Sequence, residues 1–194
     1  GSLVYRAAMA LNYIQENNFF LPEEIDIINK DVLNQEFPWF LHPNPTTEKF
    51  IFMSHTLIKR NESKINSNYF LFFFKIFERF LDKHKLKCDR ITRACLNLTF
   101  SDNRFAYSDP HVDYPSKHKV VIMYLNDCSG DTYIFNKQYK DKEFYPVENI
   151  KGFKVLKQIK PKQGKIIHFD GSYFHANSFC DPGKYRTVCV ITYV

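Results

Sequence analysis

"DPHVDYPSKHKVVIMYLN", residues 109–126, is the stretch from which the rest of the chain can be read. It sets a histidine and an aspartate two residues apart, then a proline, a basic turn and an apolar run. In an extended chain, residues i and i+2 point to the same face. His111 and Asp113 would therefore present an imidazole and a carboxylate side by side, the first two groups of a metal site. Behind them, Val120, Ile122 and Tyr124 share one face of what reads as a buried strand. An H-x-D pair occurs often by chance, so the remainder of the chain must complete the site.

Downstream of residue 91 the pattern alternates. "RACLNLTF", "KVVIMYLN", "DTYIFN", "FKVLKQI", "GKIIHFD" and "YRTVCVITYV" read as strands separated by Gly, Pro, Asn and Asp. Many short strands without crossover helices predict an antiparallel sandwich or barrel. Upstream the period is helical. In "LPEEIDIINKDVL", Pro22 suits a first turn, Glu23 and Glu24 its positive end, and Ile25, Ile28 and Val32 one face. In "NSNYFLFFFKIFERFLDKH", Phe70, Phe73, Phe74, Phe77, Phe80 and Leu81 form a helical stripe that should pack on a sheet. "FPWFLHPNPTT" reads as a proline-broken loop whose aromatics anchor in the core.

At 194 residues the chain predicts a single domain, 1–194, long enough for a proper core. Within it, 9–90 reads as a mostly helical N-terminal buttress and 91–194 as a jelly-roll core. The opening Gly1-Ser2 reads as a remnant of cloning, with residues 1–8 of little weight and Met9 a native start. Aromatic content of 17% suggests a thick core or an aromatic-lined cavity. Five cysteines without a C-x-x-C pair indicate neither a disulfide framework nor a zinc knuckle, and fit a reducing, cytoplasmic setting. No stretch is long and apolar enough for a membrane span, so no membrane partner is expected. Neither is a signal peptide visible. The sequence carries no signal for oligomeric state.

A mononuclear non-haem iron site needs two imidazoles and one carboxylate on one side of the metal. The second imidazole should be His175 in "DGSYFHANS", 64 residues after His111. Eleven residues further on, Arg186 heads an otherwise apolar strand face that includes Val188 and Val190. Arg is rarely buried unpaired, and a carboxylate ligand would satisfy it through a bidentate pair. "HFDGSYFH" offers a rival pair, His168 and Asp170. Alternation places His168 on the face of Ile166, where a packed histidine is expected. His42, His55, His84 and His118 lack ligand spacing and read as surface or loop residues. Asp109 could support the site or cap the turn before Pro110. The plainest alternative for the whole set is a jelly-roll whose His and Asp only hydrogen-bond one another.

This order of residues resembles that of the Fe(II)/2-oxoglutarate-dependent dioxygenases, most of all their prolyl 4-hydroxylase-like branch. The resemblance covers about residues 93–193. It rests on "HVDYP" followed by "IMYLN", on "SGDTYIFN", and on "IKPKQGKIIHFDGSYFHA". It implies a mainly β, double-stranded β-helix (cupin-like) core with N-terminal helices, using Fe(II), 2-oxoglutarate and O2. His111, Asp113 and His175 would then be both the metal ligands and the catalytic centre. Arg186 would hold the far carboxylate of 2-oxoglutarate, and Tyr124 would also touch it. The chain departs from the branch at Val188 and Val190, where several relatives carry Ser or Thr. A polypeptide side chain, prolyl first, is the substrate implied. The same hydroxylation of nucleic acid or a small molecule is the alternative, and a non-catalytic jelly-roll binding module is the alternative of another class.

The nucleic-acid reading draws on the net charge of +6 and on residues 137–165, which hold nine lysines against three acids. Tyr139, Phe144 and Tyr145 would supply stacking there, unless the segment is simply a solvated face.

Overall fold

The computed structural model describes residues 11–42, 50–60, 62, 64–140 and 153–194. Ten strands and two helical segments occur among them. They are β1 (Ile14–Glu16), α1 (Pro22–Ile27, continued by a π turn, Ile28–Val32), β2 (Phe40–Leu41), β3 (Phe52–Ile58) and α2 (Phe70–Lys83), then β4 (Ile91–Phe100), β5 (Lys119–Tyr124), β6 (Thr132–Gln138), β7 (Val155–Ile159), β8 (Ile166–Asp170), β9 (Tyr173–Asn177) and β10 (Tyr185–Tyr193). A seven-stranded antiparallel sheet in the order β1-β8-β5-β10-β4-β3-β2 faces a three-stranded sheet, β7-β6-β9. This is an antiparallel sandwich, as the alternating strands predict, in the jelly-roll form that the resemblance implies. All six predicted strands form.

The large sheet is two-faced because its residues alternate. On its outer face Ala94, Leu96, Val121, Met123, Ile166, Cys189, Ile191 and Tyr193 form one cluster with α2. From α2 come Phe70, Phe73, Ile76, Phe77, Phe80 and Leu81, all buried, as the stripe predicts. Phe77 meets Tyr193 edge-on at 5.4 Å. Each such ring, fully buried, contributes on the order of 1.5–3 kcal/mol. Glu24 ties α1 to α2: its Oε1 accepts from the Leu21 backbone at 2.8 Å and from Arg79 at 2.5 Å. The inner face carries the other residues of the same strands, among them Arg93, Cys95, Asn97, Ile122, Arg186 and Val188, and lines a cavity of about 650 Å³. Gly164 closes the turn before β8 at φ +88°, a left-handed backbone that suits glycine.

Three expectations need correction. Segment 9–90 is less helical than its periodicity predicts, since β1, β2 and β3 all join the large sheet. In β3, Phe52, Ser54 and Thr56 pair with Thr99, Asn97 and Cys95 of β4. Phe52 and Thr56 line the cavity, and the mixed polarity of this face hid the strand from a reading based on apolar alternation. β9 was also unforeseen, although it carries His175. Finally, two of the four remaining histidines are buried. His55 lies 2.6 Å from Ser67 Oγ and 3.0 Å from the Pro38 carbonyl. His118 packs on Gly171 so closely that a Cβ there would sit 2.1 Å from its Nε2. Residues 1–10 and 141–152, including Met9, Lys142, Phe144 and Tyr145, lie outside the described residues.

His168 settles on the outer face, its Nε2 2.8 Å from the Tyr193 hydroxyl. Burial, with the Lys119 charge second, lowers its pKa from 6.5 to about 4. As pH falls, the unfolded chain therefore binds this proton before the folded one does. Stability should decline between about pH 6.5 and 4, with His168 contributing about 2–3 kcal/mol. In metal-free protein, the melting temperature of His168→Gln should fall less steeply across that window than that of the wild type. Parallel slopes would assign the acid sensitivity to other groups.

Candidate metal centre

His111 and His175 are brought together by backbone pairing. They form an isolated antiparallel bridge, with His111 N donating to the His175 carbonyl at 3.0 Å and the reverse at 2.9 Å. On its other side His175 pairs with Ile134 of β6, so β9 holds it at the edge of the small sheet, between β6 and the His111 bridge. Val112 is buried with Phe135, Phe174 and Ala176, which turns its neighbours His111 and Asp113 the other way, into the cavity. This is the i, i+2 geometry expected of H-x-D. Asp113 Oδ1 lies 3.4 Å from His111 Nε2 and Oδ2 lies 3.2 Å from His175 Nε2. One ligand atom from each of the three residues falls within 4.8 Å of the others.

The donor set fits a divalent cation. His111 Nδ1 is 2.9 Å from the Asp109 carbonyl and His175 Nδ1 is 3.5 Å from the Tyr173 carbonyl. With those nitrogens as N–H donors, both Nε2 lone pairs face the Asp113 carboxylate. Asp113 Oδ2 is buried and has no hydrogen-bond partner. Two lone pairs converging on a buried carboxylate repel one another unless a cation, or a proton on a ring, stands between them. Burial pushes the Asp113 carboxyl up; in the metal-free site His175 and His111, when their rings are protonated and donate to it, outweigh burial and hold the group well below the ordinary range. Arg60, beyond β3, donates to the Asp113 backbone carbonyl and ties down the loop that presents the carboxylate.

Arg186 lies in the same cavity, 5% exposed. Its Nε donates to the Gly130 carbonyl and its Nη2 to Thr132 Oγ1, both at 2.7 Å. Among the described residues no carboxylate pairs with it. A guanidinium has five N–H donors, so several remain for a ligand. Thr132 Oγ1 also accepts from the Tyr124 hydroxyl at 2.6 Å. With two donors already directed at that oxygen, its own proton is left for an acceptor in the cavity. Thr99, beside Arg186 across the β4–β10 pairing, has a buried Oγ1 with no partner.

The expected residues thus separate into two groups. His111, Asp113, His175 and Arg186 meet in one cavity. Tyr124 stands one layer behind it, since Thr132 and not Tyr124 contributes to the lining. Its hydroxyl reaches the cavity only through Thr132. Thr132 also supplies a hydroxyl that Val188 and Val190 do not. The rival His168 is on the far face of the sheet, and Asp170 Oδ1 accepts from the Ser172 backbone to close a turn. Asp109 supports the site with its carbonyl, not its carboxylate. Lys59, Arg60, Arg93, Asn97 and Thr99 were not singled out from sequence. The alternation Arg93, Cys95, Asn97, Thr99, a polar-rich face on a strand with a buried reverse side, was the available signal.

The sequence matches no family model and no curated protein. Solved structures of the same fold are many. A 2OG-Fe(II) oxygenase family oxidoreductase from Burkholderia pseudomallei aligns with TM-score 0.66 at 14% identity, over 98% of this chain and 90% of that one. A prolyl hydroxylase from Trichoplax adhaerens, in complex with a hypoxia inducible factor peptide, aligns with TM-score 0.61 at 15% identity, over 99% and 87%. HygX from Streptomyces hygroscopicus, with nickel and 2-oxoglutarate bound, aligns with TM-score 0.61 at 10% identity, over 100% and 86%. At these identities the likeness establishes the jelly-roll fold over essentially the whole chain.

The geometry predicts one divalent-cation site. Loss of a group that merely orients a ligand typically costs 10–100-fold in metal affinity, so Asp113→Ala should cost about 100-fold or more. Anaerobic Fe(II) titration followed by equilibrium dialysis measures it. Equal affinity in the variant would remove Asp113 from the ligand set.

Proposed function

We propose that the chain is an Fe(II)- and 2-oxoglutarate-dependent oxygenase that hydroxylates a C–H bond, with a side chain of a polypeptide, prolyl first, as its substrate. The observation that carries this reading is a single cavity holding two complementary vacancies of charge. One is a two-histidine, one-carboxylate cluster suited to Fe(II); the other is a buried guanidinium that has no carboxylate partner among the described residues. A small dicarboxylate with a metal-chelating end and a free end answers both.

In this reading His111, Asp113 and His175 hold the iron, and the Asp109 carbonyl keeps the His111 proton on Nδ1 so that Nε2 is free to ligate. Arg186 binds the far carboxylate of 2-oxoglutarate. Gly130 and Thr132 orient its fork, and the Thr132 proton adds a further donor. Tyr124 positions Thr132. Ile122, Val188 and Val190 supply an apolar wall that limits water around the reacting centre. When bound, iron, 2-oxoglutarate and O2 supply the oxidation, in which 2-oxoglutarate loses CO2 to become succinate and one oxygen atom passes to the substrate carbon.

The polypeptide substrate is supported by analogy with the peptide-bound prolyl hydroxylase of the same fold. Nothing equivalent supports nucleic acid, because none of the described lysines of 137–165 lines the cavity.

Succinate formation dependent on both Fe(II) and 2-oxoglutarate, abolished separately by His111→Ala, Asp113→Ala and His175→Ala with the fold intact, is the expected result. Wild-type protein that binds neither iron nor 2-oxoglutarate would point to the binding module instead. A charge-assisted hydrogen bond is worth roughly 1.5–3 kcal/mol. Arg186→Ala should therefore weaken 2-oxoglutarate binding by about 10- to 150-fold in anaerobic titrations. Thr132→Val should weaken it by about fivefold, the effect of roughly 1 kcal/mol for a neutral hydrogen bond. Tyr124→Phe should have the smallest effect of the three. A larger effect for Tyr124→Phe than for Thr132→Val would restore direct contact by Tyr124.

A further inference from the structure

The cavity carries a second set of charges that the iron and 2-oxoglutarate do not use. Lys59 and Arg60, just past β3, and Arg93 of β4 line it on the side of Asp113. Arg60 and Arg93 come close together at Cys95, whose thiol feels the charges of Arg93, Asp113 and Arg60, and Lys59 adjoins Arg60 in the chain. Of the acids in the lining, Asp113 belongs to the metal cluster and Asp102 is held by Arg104 at 2.7 Å. Among the described residues that leaves Asp109 against Lys59 and Arg60.

Another part of the lining is aromatic, with the Arg104 guanidinium, paired to Asp102, 6.0 Å over the Phe50 ring. Phe50 and Phe179 pack at 4.7 Å, and Phe105 supports Phe50 from behind at 5.3 Å. At the mouth, Ile51 is 66% exposed and Phe100 44%. Exposed aliphatic and aromatic side chains around a few basic groups are what a protein partner meets. A nucleic-acid surface would be more polar and far more basic, and the lysine-rich strands lie elsewhere.

We propose that this half of the cavity receives a polypeptide segment bearing an aspartate or glutamate beside the residue to be hydroxylated. Its carboxylate meets Lys59 and Arg60, and its apolar side chains lie against Phe50, Phe179 and Ile51. The proposal rests on the oxygenase reading for what is done to the segment, but the docking chemistry stands on the lining alone. Lys59 and Arg60 are exposed, so each ion pair is partly screened, and the preference is one of several-fold rather than orders of magnitude.

The test uses protein loaded with Fe(II) and 2-oxoglutarate under anaerobic conditions. Fluorescently labelled peptides with a central proline, flanked by aspartate, asparagine or lysine, are titrated alongside a single-stranded DNA oligonucleotide. The aspartate peptide should bind about three- to tenfold more tightly than the asparagine peptide, with the lysine peptide weakest. The advantage should shrink with salt. Lys59→Glu should reverse the order, whereas Lys154→Glu, an exposed lysine outside the cavity, should preserve it. Equal binding of the three peptides overturns the proposal, as does the same reversal from Lys154→Glu. So does DNA that outcompetes the aspartate peptide through Lys59. Succinate release is measured on the same protein without peptide. Turnover without charge preference sinks the docking proposal alone; charge preference without turnover upholds it and sinks the oxygenase reading.

Discussion

The register of β10 is the constraint on which the rest of the molecule depends. This strand pairs along its length with β4 and over most of it with β5. Its alternate residues serve two different compartments. Arg186, Val188 and Val190 enter the cavity, while Cys189, Ile191 and Tyr193 enter the aromatic layer under α2. A slip of one residue would exchange the two sets. It would drive the Arg186 guanidinium among phenylalanines, where a lone charge costs several kcal/mol. The hydrophobic packing of the outer face therefore holds the functional geometry of the inner one. The phenylalanine stripe of α2 is a functional feature in that indirect sense, although none of its side chains reaches the cavity.

This two-faced arrangement also explains what could be read from the sequence. β4, β5 and β10 were legible because one face of each is uniformly apolar and the chain between them is marked by turn residues. His111, Asp113, His175 and Arg186 were legible because their chemical types are costly to bury without a purpose. β3 was not, since Phe52 and Thr56 face a cavity that mixes apolar and polar groups and, with Ser54 between them, break the simple pattern. β1 and β2 were too short for any period to register. The bridge that joins His111 to His175 is a contact between residues far apart in the chain, and no local pattern announces it. The same holds for Thr132: its hydroxyl gains meaning only when Arg186 and Tyr124 arrive from other strands. The burial of His55 and His118 was missed for a related reason, because a histidine in a core is satisfied by partners that sequence proximity does not reveal.

The cavity retains two opposite charges that do not neutralise each other. Asp113 is held between two imidazoles, and Arg186 is tied back by Gly130 and Thr132. A direct ion pair between them would satisfy both, and it would also fill the space that the chemistry needs. The two anchoring bonds of Arg186 prevent that collapse by fixing the guanidinium to the small sheet's side of the cavity. Each charge thus waits for a different partner: a cation at the carboxylate and a carboxylate at the guanidinium. Folding such a site without its partners is unfavourable, since buried charges lose hydration that neither neighbour fully replaces. The apolar packing of the aromatic core under α2 offsets that cost. Binding at both ends would return that cost by mass action, because only the folded state presents the two sites. A molecule that ligates a metal through one end and offers a carboxylate at the other satisfies both vacancies at once. That pairing of vacancies is the physical reason a jelly-roll with these residues suits an iron and a dicarboxylate together, and it holds whichever substrate enters from the Lys59 side.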